Sequence, residues 1–363
     1  MKIKHVLFKA QIAGCLLLMI AYSSCKKDKT TAPVVVNAKP TTLGLYEFAS
    51  DTNKRILIAI TKIGTQSMNY GSVFDTGSPG MTMDATDIIP ASMITSSGII
   101  VTGDSTVVNG ITITSTTKII SYGDAISSTK VYGNLAYANV TVGNSLGSMD
   151  LKRVPFFLYY KIVDGKGNKL PTHSADVFGV GPGLSTNITT ISSPLRFFTY
   201  GTGLTSGFKL ATLPTASFLT TPTYVAGLLT VGLTSDDLSS AGFIMHALVP
   251  TDKYGYSPNL AGTISYNGTT ISAQFLFDTG TPAVTVIENR LASIGKLPSN
   301  TTVTLTTTRG FTYTYITTNT GNLTEVQNPN NSGDYRTILA LDFFIKNEYL
   351  TDYTNHQIGL KNN

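Results

Sequence analysis

The sequence predicts a mainly β protein built as two lobes, and three observations carry that expectation. Charged residues make up 13% of the 363 positions, against a usual ~25%, and Thr, Ser, Gly and Val stand in their place. That mixture favours strands and tight turns over helices. Short apolar or alternating runs recur along the chain, separated by Gly, Asn, Asp and Ser. Finally, one nine-residue segment occurs twice, once around Asp75 and once around Asp278. The length has room for two domains of roughly 100–200 residues, and the wealth of β-branched residues excludes a disordered chain.

The chain opens with a leader. Lys2, Lys4 and Lys9 precede an apolar stretch from Ile12 to Ala21, and Tyr22-Ser23-Ser24-Cys25 follows it. The stretch is too short to span a bilayer and ends in small residues, as a cleavable export signal does. Residues 1–24 therefore resemble the signal peptide of a bacterial lipoprotein precursor, which implies a lipid on Cys25 and an envelope location, periplasm-facing or at the outer surface. Cys15 leaves with the signal, so the mature chain keeps one Cys and has no internal disulfide. Residues 25–42 mix Lys, Thr and two prolines without a usable period and read as a tether. Contact with a membrane is expected through the lipidated N-terminus alone.

The net charge of +5 sits in this region. The leader lysines supply three charges and Lys26-Lys27-Asp28-Lys29 supplies two more, which leaves the remainder neutral. Nucleic-acid binding loses its electrostatic basis.

From Leu43 onward the pattern gives strands at Arg55–Ile63, Ser72–Phe74, Gly110–Ile120, Ala136–Val142 and Val154–Tyr160. Helical periodicity is confined to two short candidates, Glu288–Ile294 and Leu341–Tyr349. The repeat then divides the chain into an N-terminal lobe, 43–200, and a C-terminal lobe, 201–363.

The repeated segments read Ser72-Val73-Phe74-Asp75-Thr76-Gly77-Ser78-Pro79-Gly80 and Phe275-Leu276-Phe277-Asp278-Thr279-Gly280-Thr281-Pro282-Ala283. Each is an apolar strand ending in Asp-Thr-Gly, then a hydroxyl residue, then Pro. One Asp-Thr-Gly alone is an Asx-type turn. Two with matching flanks point to chemistry. Two carboxylates within hydrogen-bond distance cannot both ionise, so they share a proton and titrate as a unit. One member then serves as general base on a water while the other, protonated, polarises a carbonyl. Gly77 and Gly280 allow a sharp turn beside the carboxylates, and the Ser78 and Thr281 hydroxyls are placed to donate to them. Thr76 and Thr279 are expected to hydrogen-bond the two loops to each other.

On these residues the chain resembles the pepsin-like aspartic proteases, whose dyad is a standard case of tuned carboxyl pairs. The resemblance implies a bilobal acid-protease fold, two pseudo-symmetric antiparallel β lobes with an active-site cleft between them. Ser121-Tyr122-Gly123 with Tyr132–Tyr137 is similar to the family's flap hairpin, which implies that Tyr122 and Gly123 cover the substrate. Ala175-Asp176-Val177-Phe178-Gly179-Val180-Gly181 and Ile338-Leu339-Ala340-Leu341 resemble the elements that back the two aspartates, which gives that role to Gly179 and Ala340. Three departures stand out: Ala340 where the family has Gly, Pro79 and Pro282 after the hydroxyl residues, and no Trp to brace the flap Tyr. In the stretch Leu195–Ala261 no element of the family is recognised.

Other chemistries find no support. None of the four histidines pairs at metal-ligand spacing, there is no GxSxG elbow, and the glycine-rich Gly179–Gly183 lacks a phosphate-binding context. No metal and no cofactor is expected, since water is the nucleophile. The expected function is an aspartic endopeptidase, a monomer, cleaving peptide held in extended form between Asp75 and Asp278. The alternative is a non-catalytic peptide- or glycan-binding surface lipoprotein on the same scaffold.

Overall fold

A computed structural model describes residues 38–363 except 124–127, 186–187, 189, 254 and 293–294. The leader, Cys25 and the tether as far as residue 37 lie outside the described residues. Among those described, a sheet of 14 strands and a sheet of eight make the two lobes of a mainly β fold.

Alternation builds the sheets. In the strand Asn53–Ile63, Ile56, Ile58 and Ile60 are fully buried and face one side. A bulge between Ile60 and Lys62 resets the parity, so that Ile63 also points into the core. The strands read from the sequence are present and longer than their apolar centres. Gly110–Ile120 corresponds to Ile111–Gly123, with Gly110 in the turn before it, while Ala136–Val142 lies in Ser128–Asn144 and Val154–Tyr160 in Gly147–Val163. Ile111–Gly123 and Ser128–Asn144 pair antiparallel as a long hairpin whose far end carries Tyr122. Beneath that end, Ile120, Val131, Phe157, Tyr159 and Ile191 form their own apolar cluster, separate from the main core, with Tyr122 packed on it.

Two connections place the repeated loops. The strand Gln66–Asp75 does not pair with Pro79–Asp84, although only three residues separate them. Val177–Val180 is inserted between the two, parallel to the first and antiparallel to the second. The loop therefore has to span two strand spacings, about 10 Å, and stays open rather than closing as a hairpin. The second repeat does the same, with Thr337–Leu339 inserted between Thr269–Phe277 and Val284–Glu288. In both, the inserted strand runs under the aspartate. Gly179 is in register with Asp75, and the Phe277–Leu339 pairing brings Ala340 level with Asp278.

The large sheet draws on both ends of the chain. Thr41–Ser50 pairs on one side with Asn53–Ile63 and on the other with Thr223–Leu233, which leads on to Thr205–Leu210, Asn347–Asp352 and Gln357–Asn362. The unmatched stretch 195–261 thus holds one strand paired with the first strand of the fold, Thr223–Leu233, and the next strand beyond it, Thr205–Leu210.

Neither helix candidate is a helix of the proposed extent. Val284–Glu288 is a strand, parallel to Leu323–Gln327, and its β-branched run Val-Thr-Val-Ile suits a pleated surface; residues 293–294 lie outside the described set. Leu341–Ile345 is one short 3-10 segment that burial of Leu341, Phe343 and Phe344 holds in place, and Asn347–Asp352 returns to a strand.

Glu47, midway along Thr41–Ser50, is wholly buried and neither carboxyl oxygen has a hydrogen-bond partner among the described residues. Burial pushes its carboxyl up to about 7. A group that binds its proton more tightly folded than unfolded adds stability that is complete below its unfolded value, near 4.5, and fades as pH rises to about 7. Replacing Glu47 by Gln is expected to remove that dependence. In urea titrations at pH 4, 5.5 and 8, the wild type should lose of order 2 kcal/mol relative to Glu47→Gln from the lowest to the highest pH. A difference that stays constant with pH contradicts this.

Candidate active site

Each Asp-Thr-Gly loop carries its own hydrogen-bond cradle. Asp75 Oδ1 accepts from the Gly77 N–H at 2.7 Å and the Ser78 N–H at 3.0 Å, and Oδ2 accepts from the Ser78 hydroxyl at 2.5 Å. Asp278 Oδ1 accepts from the Gly280 N–H at 2.8 Å, and Oδ2 from the Thr281 hydroxyl at 2.6 Å. The two cradles match except that the Thr281 N–H turns to its own aspartate's carbonyl, at 3.3 Å. These donors fix both carboxyl planes.

The threonines lock the loops together. The Thr76 hydroxyl donates to the Phe277 carbonyl and the Thr279 hydroxyl to the Phe74 carbonyl, each at 2.7 Å. Each hydroxyl also accepts the opposite backbone N–H, Thr76 N to Thr279 Oγ1 at 3.0 Å and Thr279 N to Thr76 Oγ1 at 3.1 Å. Both side chains are buried, so these bonds are made away from competing water.

This lock brings the aspartates face to face. A β-carbon at position 77 would stand 2.5 Å from the Asp278 carboxyl, and one at position 280 would stand 2.7 Å from that of Asp75. Only glycine leaves room for the opposite carboxyl. Burial raises the proton affinity of Asp75, and the facing Asp278 carboxyl raises it further, against the pull of the Ser78 hydroxyl and the Gly77 N–H. The pair is therefore built to hold one proton between two carboxyls.

Behind the first loop, a β-carbon on Gly179 would meet the Ser78 and Gly80 carbonyls at 2.6 and 2.5 Å, so the inserted strand requires glycine there. Ala340, level with Asp278, keeps its methyl buried and donates its N–H to the Thr285 hydroxyl at 3.3 Å. The second lobe therefore accommodates the extra carbon. Pro79 ends the first loop opposite Val180, and the Pro282 carbonyl accepts from the Lys54 N–H at 3.1 Å.

A cavity of about 560 Å³ opens over the pair. Tyr122 and Gly123 line it from the hairpin, and burial pushes the Tyr122 phenol up, so it stays neutral. In place of a Trp, the Thr82 hydroxyl braces the Tyr122 oxygen at 2.7 Å. The first-lobe wall sets Ile120, Phe157 and Ile191 beside Thr82, Ser121 and Ser185, while the second-lobe wall sets Leu276, Val286 and Ile338 beside Glu288, Gln327, Asp334 and Arg336, so that the charged groups lie on the second lobe's side. Arg336 is forked onto Asp334, which holds that carboxyl below the usual range despite its burial.

Sequence reasoning did not single out Thr82, the charged groups of the second-lobe wall or Arg55. Their partners lie between 2 and 225 positions away, and none belongs to a repeated motif. Arg55 stands after Lys54 at the start of the strand whose Ile56, Ile58 and Ile60 are buried, and a second cation beside it leaves no local signal that marks it out.

Known proteins resemble the chain in fold. No protein-family model matches it, and no curated protein does. Among solved structures, the aspartic proteinase from Irpex lacteus superposes with a TM-score of 0.55 over 89% of this chain and 97% of that one, at 16% identity. The fold is pepsin-like. The basic 7S globulin from soybean has the same likeness, with a TM-score of 0.54 at 12% identity, over 89% of this chain and 96% of that one. At such identities the pepsin-like likeness carries the architecture and leaves activity to the site's own geometry.

Proposed function

We propose that the protein is an aspartic endopeptidase. The observation that carries this reading is the interlocked pair of Asp-Thr-Gly loops, with two carboxyls facing each other at the floor of a cleft. In the reaction, the ionised carboxyl takes a proton from a water held between the two, and the water oxygen attacks the peptide carbonyl carbon. The protonated carboxyl gives its proton to the carbonyl oxygen, which yields a neutral gem-diol. A proton then passes to the amide nitrogen, the C–N bond breaks, and an acid and an amine leave. No covalent intermediate forms and no cofactor takes part.

Tyr122 closes over the substrate, an extended peptide paired to strand edges. Ile120, Phe157 and Ile191 on one wall and Leu276, Val286 and Ile338 on the other support a hydrophobic residue beside the scissile bond. In this reading the protein is a monomer anchored through a lipid on Cys25 to a bacterial envelope membrane, so Cys25→Ser releases it from the membrane fraction.

A statine-type peptide, which mimics the gem-diol, separates this reading from a scaffold that binds without cutting. Calorimetry at about pH 4 is expected to give affinity at least 100-fold tighter than for a substrate-like peptide of the same sequence. Equal affinity for the two would overturn the endopeptidase reading and favour a peptide- or glycan-binding lipoprotein.

A further inference from the structure

Arg55 approaches the second catalytic loop from the first lobe. Its Nη1 donates to the Gly280 carbonyl at 2.8 Å, and the N–H of that same glycine holds Asp278 Oδ1 at 2.8 Å. The neighbouring Lys54 reinforces the clasp, with its N–H on the Pro282 carbonyl and its ammonium on Asp342. Residues 54 and 55 thus grip the loop that carries the second aspartate.

Two other cations near the dyad are paired with carboxylates. Lys54 is paired with Asp342, while Arg336, beside the inserted strand Thr337–Leu339, is paired with Asp334 and also interacts electrostatically with Asp278. Glu288, from the strand Val284–Glu288, accepts from the Ser332 hydroxyl. Tyr122 from the hairpin and Tyr349 from Asn347–Asp352 face the aspartates as neutral phenols, both pushed up by burial. Arg55, half-buried, has no carboxylate hydrogen-bonded to it among the described residues, and Asp278 and Asp75 are the anions that act on it.

We propose that Arg55 is a positioning residue for the dyad: its guanidinium fixes the second catalytic loop through the Gly280 carbonyl and supplies the positive field that keeps Asp75 and Asp278 singly ionised in acid. The consequence for turnover rests on the endopeptidase reading, whereas the effect on the carboxyls does not. Removing the cation makes both ionisations of the pair harder. The window in which one proton is shared therefore moves to higher pH.

The test uses the intact protein labelled for carboxyl and guanidinium NMR. In Arg55→Gln, which keeps a donor near Gly280 and loses the charge, both carboxyl titration midpoints are expected to rise by about one pH unit. Arg55→Lys keeps the charge and should hold both midpoints within about 0.3 of wild type, although it loses the planar fork. In the wild type, the Arg55 side-chain resonances should follow the dyad's first ionisation, a reading that needs no variant to fold. If the protein cleaves peptides, both limbs of its kcat/KM profile move with the carboxyls. A folded Arg55→Gln protein with unmoved midpoints overturns the proposal, as do wild-type guanidinium resonances that ignore the dyad. Wild-type protein that titrates as expected but cuts nothing would sink the endopeptidase reading and leave the role of Arg55 standing.

Discussion

Asp75→Asn and Asp278→Asn are each expected to lower kcat/KM on a cleaved peptide by at least about 10³-fold while leaving the fold intact. The fold survives because the cradle tolerates the amide. In Asp75→Asn the amide oxygen replaces Oδ1 as acceptor for the Gly77 and Ser78 N–H groups, and the NH₂ meets the Ser78 hydroxyl, whose oxygen also accepts. Removing one of two facing buried carboxyls also relieves their repulsion, so neither variant should melt lower by more than a few degrees. Activity goes because an amide neither takes the proton of water nor returns one to the carbonyl. The two variants should be equally inactive, and the double variant little worse, since the pair acts as one unit. A single variant that keeps more than about a tenth of wild-type activity would remove that aspartate from the chemistry.

The second large effect is at the threonine lock. Thr279→Val keeps shape and loses the hydroxyl, which strands the Thr76 N–H and the Phe74 carbonyl in a buried place. Two such groups should cost about 2–4 kcal/mol in urea denaturation. Because the hydroxyl also sets the spacing of the loops, kcat/KM should fall about 100-fold. Thr76→Val breaks the mirror-image bonds, to Phe277 and the Thr279 N–H, and should match it. The two variants strand different groups, so a double variant that costs less than the two added together would show that breaking one half of the lock already loosens the other. Full activity in both variants would show that the loops are held by something else.

Much of this site was legible in the sequence because its chemistry lies in a repeat. Two Asp-Thr-Gly triplets after apolar strands announced both carboxyls, both glycines and both hydroxyl donors, and period-two runs announced the strands that carry them. What remained hidden depends on partners distant in sequence. Thr82 meets Tyr122 from 40 positions away and Arg55 meets Gly280 from 225, so neither leaves a local pattern. The strands Thr205–Leu210 and Thr223–Leu233 went unmatched for the same reason, since the second of them pairs with the first strand of the fold. The helix read at Leu341–Tyr349 failed because burial of Leu341, Phe343 and Phe344 mimics one helical turn, and a 3-10 segment satisfies that spacing before a strand takes over.

In the proposed reaction Asp75 and Asp278 share a proton and direct water onto a peptide bond. Mass spectrometry of a peptide library incubated with the intact protein in oxygen-18 water, from about pH 3 to 7, tests it most directly. The expected result is a set of new C-termini carrying the heavy oxygen, formed with a bell-shaped pH dependence and with a hydrophobic residue beside the cut. Folded protein that yields no new termini anywhere in that range would contradict it.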